Sequence, residues 1–237
     1  MPTRRRLLAS LSTAALAAPP AAFAYTYREY KVDATTQTTY TLTAFNIGAA
    51  SADRIVVAII WTQTSAAQPI NSVTIGGVTA TNIVNLNAGE SRGLSAWFAA
   101  VPTGTTADVV VTAAGNLNRC AVGVSTITGT TQTTYSSRSG SIPDSGSTVN
   151  SITTPAAGSI TIPTGGVAIA AAWLGSSTPT ITWTQTTGSG TQNLVGTNFA
   201  ASMSGSLYSS TNASAQQYTA DGADSVQYRA LAFTWGP

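Results

Sequence analysis

The fold is decided by the stretch Ala52-Asp53-Arg54-Ile55-Val56-Val57-Ala58-Ile59-Ile60-Trp61 and by a second stretch like it, Gly165-Gly166-Val167-Ala168-Ile169-Ala170-Ala171-Ala172-Trp173. Each stretch contains a continuous apolar run that ends in tryptophan and leads into a Ser/Thr-rich loop. A short run with apolar side chains on both faces is typical of a strand that is buried on both sides. Both runs are therefore predicted to be central strands of a sheet, and neither is predicted to be a helix.

The sequence on either side of the two runs also repeats. The matching pairs are 39–45 with 159–162 ahead of the runs, 71–75 with 179–183 after them, and 119–124 with 228–233 at the end. We infer two copies of one β-unit, at about 36–128 and 156–237. The intervening segment, 129–155, is rich in Ser, Thr and Gly and is predicted to be a linker or a long surface loop.

Short strands separated by turn residues predict an all-β protein. The predicted strands are 39–45, 54–62, 72–76, 82–86, 93–101, 108–113 and 119–127 in the first unit, and 159–162, 167–173, 180–184, 192–197, 203–209, 216–220 and 226–235 in the second. The fold class is thus two homologous seven-stranded β-sandwich units, Ig-like or jelly-roll-like. Whether they are separate or fused into one duplicated sandwich stays open. The domains are 25–128 and 156–237, joined by 129–155.

The N-terminal 24 residues have a different character from the rest of the chain. Three arginines, an Ala-rich apolar stretch and the small-x-small site Ala22-Phe23-Ala24 are typical of a secretory signal peptide of the Sec or twin-arginine kind. The alternative is an N-terminal arm that docks in a larger assembly. The apolar part is too short and too interrupted to predict a membrane span. The next segment, Tyr25–Asp33, favours a charged first edge strand over an extended arm.

Composition excludes several classes of function. Charged residues make up 8% of the chain, against about 25% in ordinary soluble domains. That composition favours an extracellular or particle-surface protein. From Tyr25 onward seven basic residues face eight acidic ones, a net charge of −1, and they are scattered. They form no basic stripe of the kind that nucleic-acid binding needs, so we expect no nucleic-acid partner.

The chain is poor in groups that carry chemistry. It contains no histidine, one lysine (Lys31) and one cysteine (Cys120). The commonest general base and metal ligand is therefore missing, no intramolecular disulfide is possible, and serine or threonine nucleophiles lack an activating base of the usual kinds. Cys120 sits in an apolar run and is predicted to be buried and inert. We expect no catalytic residue, no metal site, no cofactor and no enzyme activity.

The acidic residues offer the remaining route to catalysis, because a glycosidase needs two carboxylates that face each other across a cleft. Asp53 and Asp108 each precede a predicted strand, where Asp commonly serves a turn. Glu90 and Asp108 are the one pair that could be proposed. Asp221 and Asp224 flank Gly222-Ala223 and suggest a turn or at most a weak calcium loop. The sequence does not favour a hydrolase.

The aromatic residues give the candidate binding residues. Trp61, Trp97, Trp173 and Trp235 lie in or at the end of apolar strands and are predicted to pack in the core. Trp183 alternates with threonines and is either a core residue or an anchor at a subunit contact. Tyr208 and Tyr135 lie in Ser/Thr-rich sequence and are expected to be exposed, where they could stack on a sugar ring. Trp183, Tyr208 and Tyr135 are thus weak ligand-binding candidates.

Three further stretches carry a family resemblance: 53–57, Val73-Thr74-Ile75-Gly76-Gly77-Val78, and 100–111. They are similar to β-rich proteins of tailed phages and prophages that are usually called virion structural, tail or fibre-like proteins. The resemblance implies a β-sandwich on a particle surface, homo-oligomeric and used for decoration or host attachment. Its expected partners are other virion or surface proteins and a host-surface glycan. The alternative is an exported bacterial surface or carbohydrate-binding protein, secreted or held at the cell surface.

Overall fold

The computed structural model describes residues 22–65, 68–86, 92–141, 149–154, 160–174, 181–185, 191–195, 203–209, 213–216, 218–226 and 228–237. The described residues are strands and their connections, and none of them is helical. They therefore include no apolar helix of bilayer length. The all-β fold that the sequence predicts is confirmed.

The described residues of the first half form nine strands: β1 (Ala24–Asp33), β2 (Gln37–Asn46), β3 (Ile55–Gln63), β4 (Ile70–Ile75), β5 (Val78–Thr79), β6 (Thr81–Asn85), β7 (Arg92–Ala100), β8 (Thr106–Leu117) and β9 (Arg119–Thr128). Those of the second half are β10 (Ser137–Ser141), β11 (Val149–Thr154), β12 (Ile160–Ile162), β13 (Val167–Leu174), β14 (Ile181–Gln185), β15 (Thr191–Val195), β16 (Met203–Ser209), β17 (Ala213–Gln216), β18 (Tyr218–Val226) and β19 (Tyr228–Trp235).

The strands form antiparallel sheets with a clear order. The first inner sheet runs β1-β9-β3-β7-β6, and the first outer sheet, β2-β8-β4-β5, packs on one of its faces. The second inner sheet runs β10-β19-β13-β16-β15. It is accompanied by two smaller sheets, β11-β18-β14 and β12-β17, which we call the second outer sheets. The two apolar runs that decide the fold, β3 and β13, are the middle strands of the two inner sheets, as predicted.

Each middle strand is buried on both faces because each inner sheet lies between two others. In β3, Val56, Ala58 and Ile60 face the core shared with the first outer sheet. The alternate residues of β3 face a second core, to which β13 contributes its own alternate residues, Val167 to Trp173. The other face of β13 packs with Ile160 and Ile162 of β12. The first inner and first outer sheets thus form a sandwich, which we call the first sandwich, and the two inner sheets stack on each other with apolar side chains between them.

The core between the two inner sheets, which we call the inter-sheet core, holds three of the four tryptophans predicted to be buried. Trp61, Trp173 and Trp235 lie there, each at most 1% exposed, while Trp97 is buried in the core of the first sandwich. The Trp61 Nε1 group donates a hydrogen bond to the Ala172 carbonyl oxygen over 2.8 Å. Phe98 of β7 meets Trp235 edge-on, with ring centroids 4.9 Å apart. The prediction that these tryptophans pack in the core is confirmed.

The strands of the second inner sheet follow the same order as those of the first. The strands β10, β19, β13, β16 and β15 take the positions of β1, β9, β3, β7 and β6, respectively. A duplicated unit would produce this order, and the duplication itself stays a prediction. The segment 129–155, predicted as a connection, carries two strands: β10 joins the edge of the second inner sheet, and β11 joins a second outer sheet. Tyr25–Asp33 falls within β1, the edge strand that the sequence favours.

One residue of the first sandwich is held in an unfavourable backbone conformation. Ala44 has φ 55°, in the left-handed region, where the pairing of β2 with β8 shifts between Leu42 and Phe45. Its amide donates to an Asp108 side-chain oxygen over 2.7 Å, and its carbonyl oxygen accepts a bond from Lys31 Nζ over 3.0 Å. These two bonds hold a β-bulge at a residue whose Cβ makes the conformation costly.

We expect Ala44→Gly to stabilise the protein by about 0.5–1 kcal/mol, because relief of the left-handed strain exceeds the entropy that glycine loses on folding. Chemical denaturation measures the change. The matched control is Ala114→Gly, at an exposed position of β8 whose φ is not positive. There the same substitution should lower stability by about 0.5–1 kcal/mol. Equal losses at the two positions would show that Ala44 carries no strain.

Candidate functional site

The three aromatic residues singled out by sequence lie in different parts of the fold. Tyr135 precedes β10; it is half-buried against the inter-sheet core, and not exposed as expected. Tyr208 lies in β16, where it pairs with Ile169 and Thr191. Trp183 lies in β14, paired with Ala220. The side chains of Tyr208 and Trp183 lie outside the described residues. Since β14 and β16 belong to different sheets, the fold gives no shared sheet surface to this pair.

The acidic side chains that the structure describes are used to hold the backbone. Asp33 accepts bonds from Thr35 and Gln37, which together lower the pKa of its carboxyl, Thr35 having the larger effect. Glu29 accepts a bond from the Asn46 amide over 2.9 Å. Asp108, which lies inside β8 and not ahead of a strand, holds Ala44. Glu90, the other half of the pair considered for a glycosidase, lies outside the described residues.

Asp53 closes a junction between the start of β3 and the end of β9. Its side chain accepts a hydrogen bond from the Ser51 hydroxyl and another from the Gly129 amide, the latter 2.6 Å long. The bond from Ser51 is the largest cause that lowers the pKa of Asp53 from its ordinary value, and the bond from Gly129 adds to it. Because the carboxylate is bonded only in the folded state, ionised Asp53 stabilises the fold.

The lowered pKa predicts how stability depends on pH. The contribution of Asp53 is fully present above the ordinary pKa of an aspartate and is lost as pH falls through the lower folded value. We expect Asp53→Ala to reduce stability at pH 7, and we expect the difference from the parent protein to shrink as the pH falls below about 4. Denaturant titrations of both proteins from pH 7 to pH 3 measure this. A difference that stayed constant with pH would contradict the assignment.

Asp221 and Asp224 do not form the turn that the sequence suggested. Both lie within β18, and Asp221 pairs with Ser151 and Thr182 on the neighbouring strands. Among the described residues no group of three His, Cys, Asp or Glu side chains comes together. Cys120 is buried, as predicted, and burial raises the pKa of its thiol far above the ordinary value. A thiol of this kind is protonated and unreactive at neutral pH.

Among the residues that the structure describes, Arg54 is a heavily bonded polar side chain, 1% exposed at the head of β3. Its five N–H groups reach six backbone carbonyl oxygens at 2.6–3.2 Å, so at least one N–H on Nη1 is shared by two acceptors. The acceptors belong to Ile47, Gly48, Ala49, Val101, Thr103 and Gly104. Burial lowers the pKa of Arg54 from its ordinary value, and the nearby Arg28 charge adds to this. The side chain fastens the loop before β3 to the loop after β7, which is a structural role.

Two clefts on the surface gather polar side chains. The first lies between β1 and β2 and is lined by Lys31, Asp33, Thr41 and Thr43. Its charges are already engaged: Lys31 Nζ lies 3.3 Å from Glu29, donates to the Thr43 carbonyl oxygen over 2.6 Å, and sits 4.8 Å from the Phe45 ring centroid. The charged groups of this cleft therefore hold β1 and β2 together, and they offer few hydrogen bonds to a ligand.

The second cleft lies where β6 and β10, the edge strands of the two inner sheets, run beside each other. It encloses about 340 Å³ and is lined by Asn82, Ile83, Val84, Asn85, Arg138, Ser139 and Gly140. Gly140 lets the strands approach closely, since a Cβ there would lie 2.9 Å from Val84 Cγ1 and 2.8 Å from Leu86 Cδ2. We call this the edge cleft. It is the candidate binding site.

Arg138 dominates the chemistry of the edge cleft. Its Nη1 group donates to the Ile83 carbonyl oxygen, and its guanidinium lies 5.2 Å from the centroid of the Tyr135 ring. Tyr135, a binding candidate from the sequence, thus packs against the guanidinium of Arg138. The face of its ring that meets Arg138 is therefore covered. Asn82 is fixed by bonds from its amide nitrogen to the Val84 and Ala96 carbonyl oxygens, each 3.3 Å long. The cleft can offer cationic and amide groups to a polar ligand.

Comparisons with known proteins add nothing to this geometry. No protein-family model, curated protein or solved structure matches the chain. The similarity to virion proteins therefore stays an expectation from the sequence.

Sequence reasoning missed the residues that line the edge cleft. Arg138 was counted among scattered charges because Ser137-Arg138-Ser139-Gly140-Ser141 contains no apolar residue and shows no strand alternation. The segment becomes a strand through its pairing with β19. Asn82 and Asn85 lie in a predicted strand, but the sequence does not show that β6 is an edge strand beside β10. A glycine in a polar run is the one local signal of close backbone approach.

Proposed function

We propose that this protein is a non-catalytic structural or adhesive component of an exposed surface, of the decoration, fibre or spike type found on phage-like particles. It acts by contacts with other surface proteins and with glycans. The low charge, the antiparallel sheets and the hydroxyl- and amide-rich strands suit such contacts. Homo-oligomerisation and a place on a virion belong to the same proposal.

The proposal rests on how the described chemistry-bearing side chains are used. Asp33, Asp53, Asp108 and Glu29 each hold a backbone amide or a neighbouring side chain, and Cys120 is buried in the core. An acid that is committed to a structural bond is poorly placed for general acid or base catalysis. This use of the acids supports a protein that acts through its surfaces.

Mass spectrometry of particles purified from the source culture tests the proposal. We expect peptides of this chain to co-purify with the particle proteins through a density gradient and to be accessible to surface proteolysis or labelling. Finding the chain solely in the free soluble fraction would contradict a particle location. A matched culture in which the gene is deleted provides the control for contaminating protein.

One observation favours the second candidate, an exported bacterial surface or carbohydrate-binding protein. The predicted processing site after Ala24 falls at the first residue of β1, and Tyr25 to Val32 pair with β9 beyond it. Processing there would leave the edge strand almost whole. The mass of the mature protein decides: a chain that begins at Tyr25 supports export, and one that retains the N-terminal segment supports the docked arm.

A further inference from the structure

We propose that the edge cleft binds an acidic sugar unit, with Arg138 contacting the sugar carboxylate. This inference rests on the proposed function, since it names the class of glycan that the surface would contact. Three features of the described cleft carry it: its charge, the geometry of its cation and the amide oxygen of Asn82.

The described lining of the cleft contains a cationic side chain and no acidic one. The cationic residue is Arg138. The other described cleft differs, because there Lys31 is paired with Glu29 and Asp33 lies in the lining. In a chain with little charge, a cation in an open cleft without a lining carboxylate favours an anionic ligand.

The geometry of Arg138 suits a carboxylate. One of its five N–H donors is spent on the Ile83 carbonyl oxygen, and the guanidinium carbon lies 5.2 Å from the centroid of the Tyr135 ring. Both contacts hold the planar group in place, so less side-chain freedom is lost when a ligand binds. The remaining donors on Nε and Nη2 can form the paired bonds that a carboxylate accepts.

The rest of the cleft suits a small polyhydroxylated ring. Asn82 donates the bonds to Val84 and Ala96 from its amide nitrogen, so its amide oxygen remains to accept a bond from a sugar hydroxyl. Asn85 is exposed on the same strand, and Ser139 lines the facing wall. A volume of about 340 Å³ is at the lower end of the range of ligand sites and accommodates one sugar unit.

Titration of the full-length protein with glucuronate, followed by amide chemical shifts of β6 and β10, tests the inference. We expect saturable shifts at these strands and much weaker ones with glucose, which has the same ring without the carboxylate. Arg138→Gln should weaken glucuronate binding about tenfold or more, the effect of losing a charge-assisted contact. Arg28→Gln, on the opposite edge of the first inner sheet, should leave the affinity unchanged.

A second variant tests whether Arg138→Gln weakens glucuronate binding only because the bond to the Ile83 carbonyl oxygen is lost. Asn85→Asp adds a negative charge inside the cleft and keeps Arg138, and it should also weaken glucuronate binding. The inference is overturned if glucose binds as tightly as glucuronate, or if Arg28→Gln weakens glucuronate binding as much as Arg138→Gln does. It is also overturned if the chemical shifts change away from β6 and β10, or if no saturable change is seen. Acetate binding as tightly as glucuronate would overturn the assignment to a sugar. The mass spectrometry of particles does not depend on the edge cleft. Failure of the proposed function can therefore be told apart from failure of glucuronate binding.

Discussion

Arg54→Met is expected to destabilise the protein by about 3 kcal/mol or more. The substitution keeps an apolar stem of similar length and removes the donor that satisfies six carbonyl oxygens. Water does not simply replace the guanidinium at the two buried bonds, so the carbonyl oxygens of Ile47 and Val101 lose their partner. The free energy of unfolding from denaturant titration measures the loss.

Arg54→Lys separates charge from geometry. An ammonium group has three donors on one atom and cannot span carbonyl oxygens on two loops, so we expect it to recover only a minor part of the lost stability. The control is Arg28→Met, which removes a half-buried arginine with one bond, to the Thr126 hydroxyl over 2.8 Å. We expect a loss below about 1 kcal/mol there. If both methionine variants cost the same, Arg54 does not fasten the loops.

The strand pattern was predictable wherever local sequence reports burial on both sides. β3 and β13 were placed to within one residue at each end, because apolar runs of this kind have few alternative structures. Arg54 shows where such reasoning stops. It stands at the head of an apolar run and looks like a charge at a strand end, and nothing nearby in sequence identifies the carbonyl groups that follow β7.

The edge cleft lay beyond prediction for a related reason. Its walls come from β6 and β10, which lie far apart in the sequence. Arg138 and Ile83, which are joined by a hydrogen bond across the cleft, are separated by 55 positions. Edge strands are defined by what lies beside them, and a polar strand such as β10 carries no alternation that would reveal it. The stacking of the two inner sheets brings these edges together, and it depends on the inter-sheet core and not on either local sequence.

The stacking of the sheets makes a second strong prediction. Trp235→Ala and Phe98→Ala should each cost about 3–5 kcal/mol, because each removes a large ring from the inter-sheet core. The two rings touch across the sheets, one from each half of the chain. We therefore expect the double variant to cost less than the sum of the single ones, by about 0.5–1.5 kcal/mol.

Phe45→Ala is the matched control for this cycle. Phe45 is as fully buried as Trp235 but lies in the core of the first sandwich, on the far side of the first inner sheet. Its combination with Trp235→Ala should be additive to within about 0.5 kcal/mol. Where an alanine variant does not fold, the leucine substitutions at the same positions give a smaller cycle of the same sign. Additivity for Phe98 with Trp235 would mean that the halves do not share a core in solution, and the edge cleft, which needs both inner sheets in register, would then have no basis.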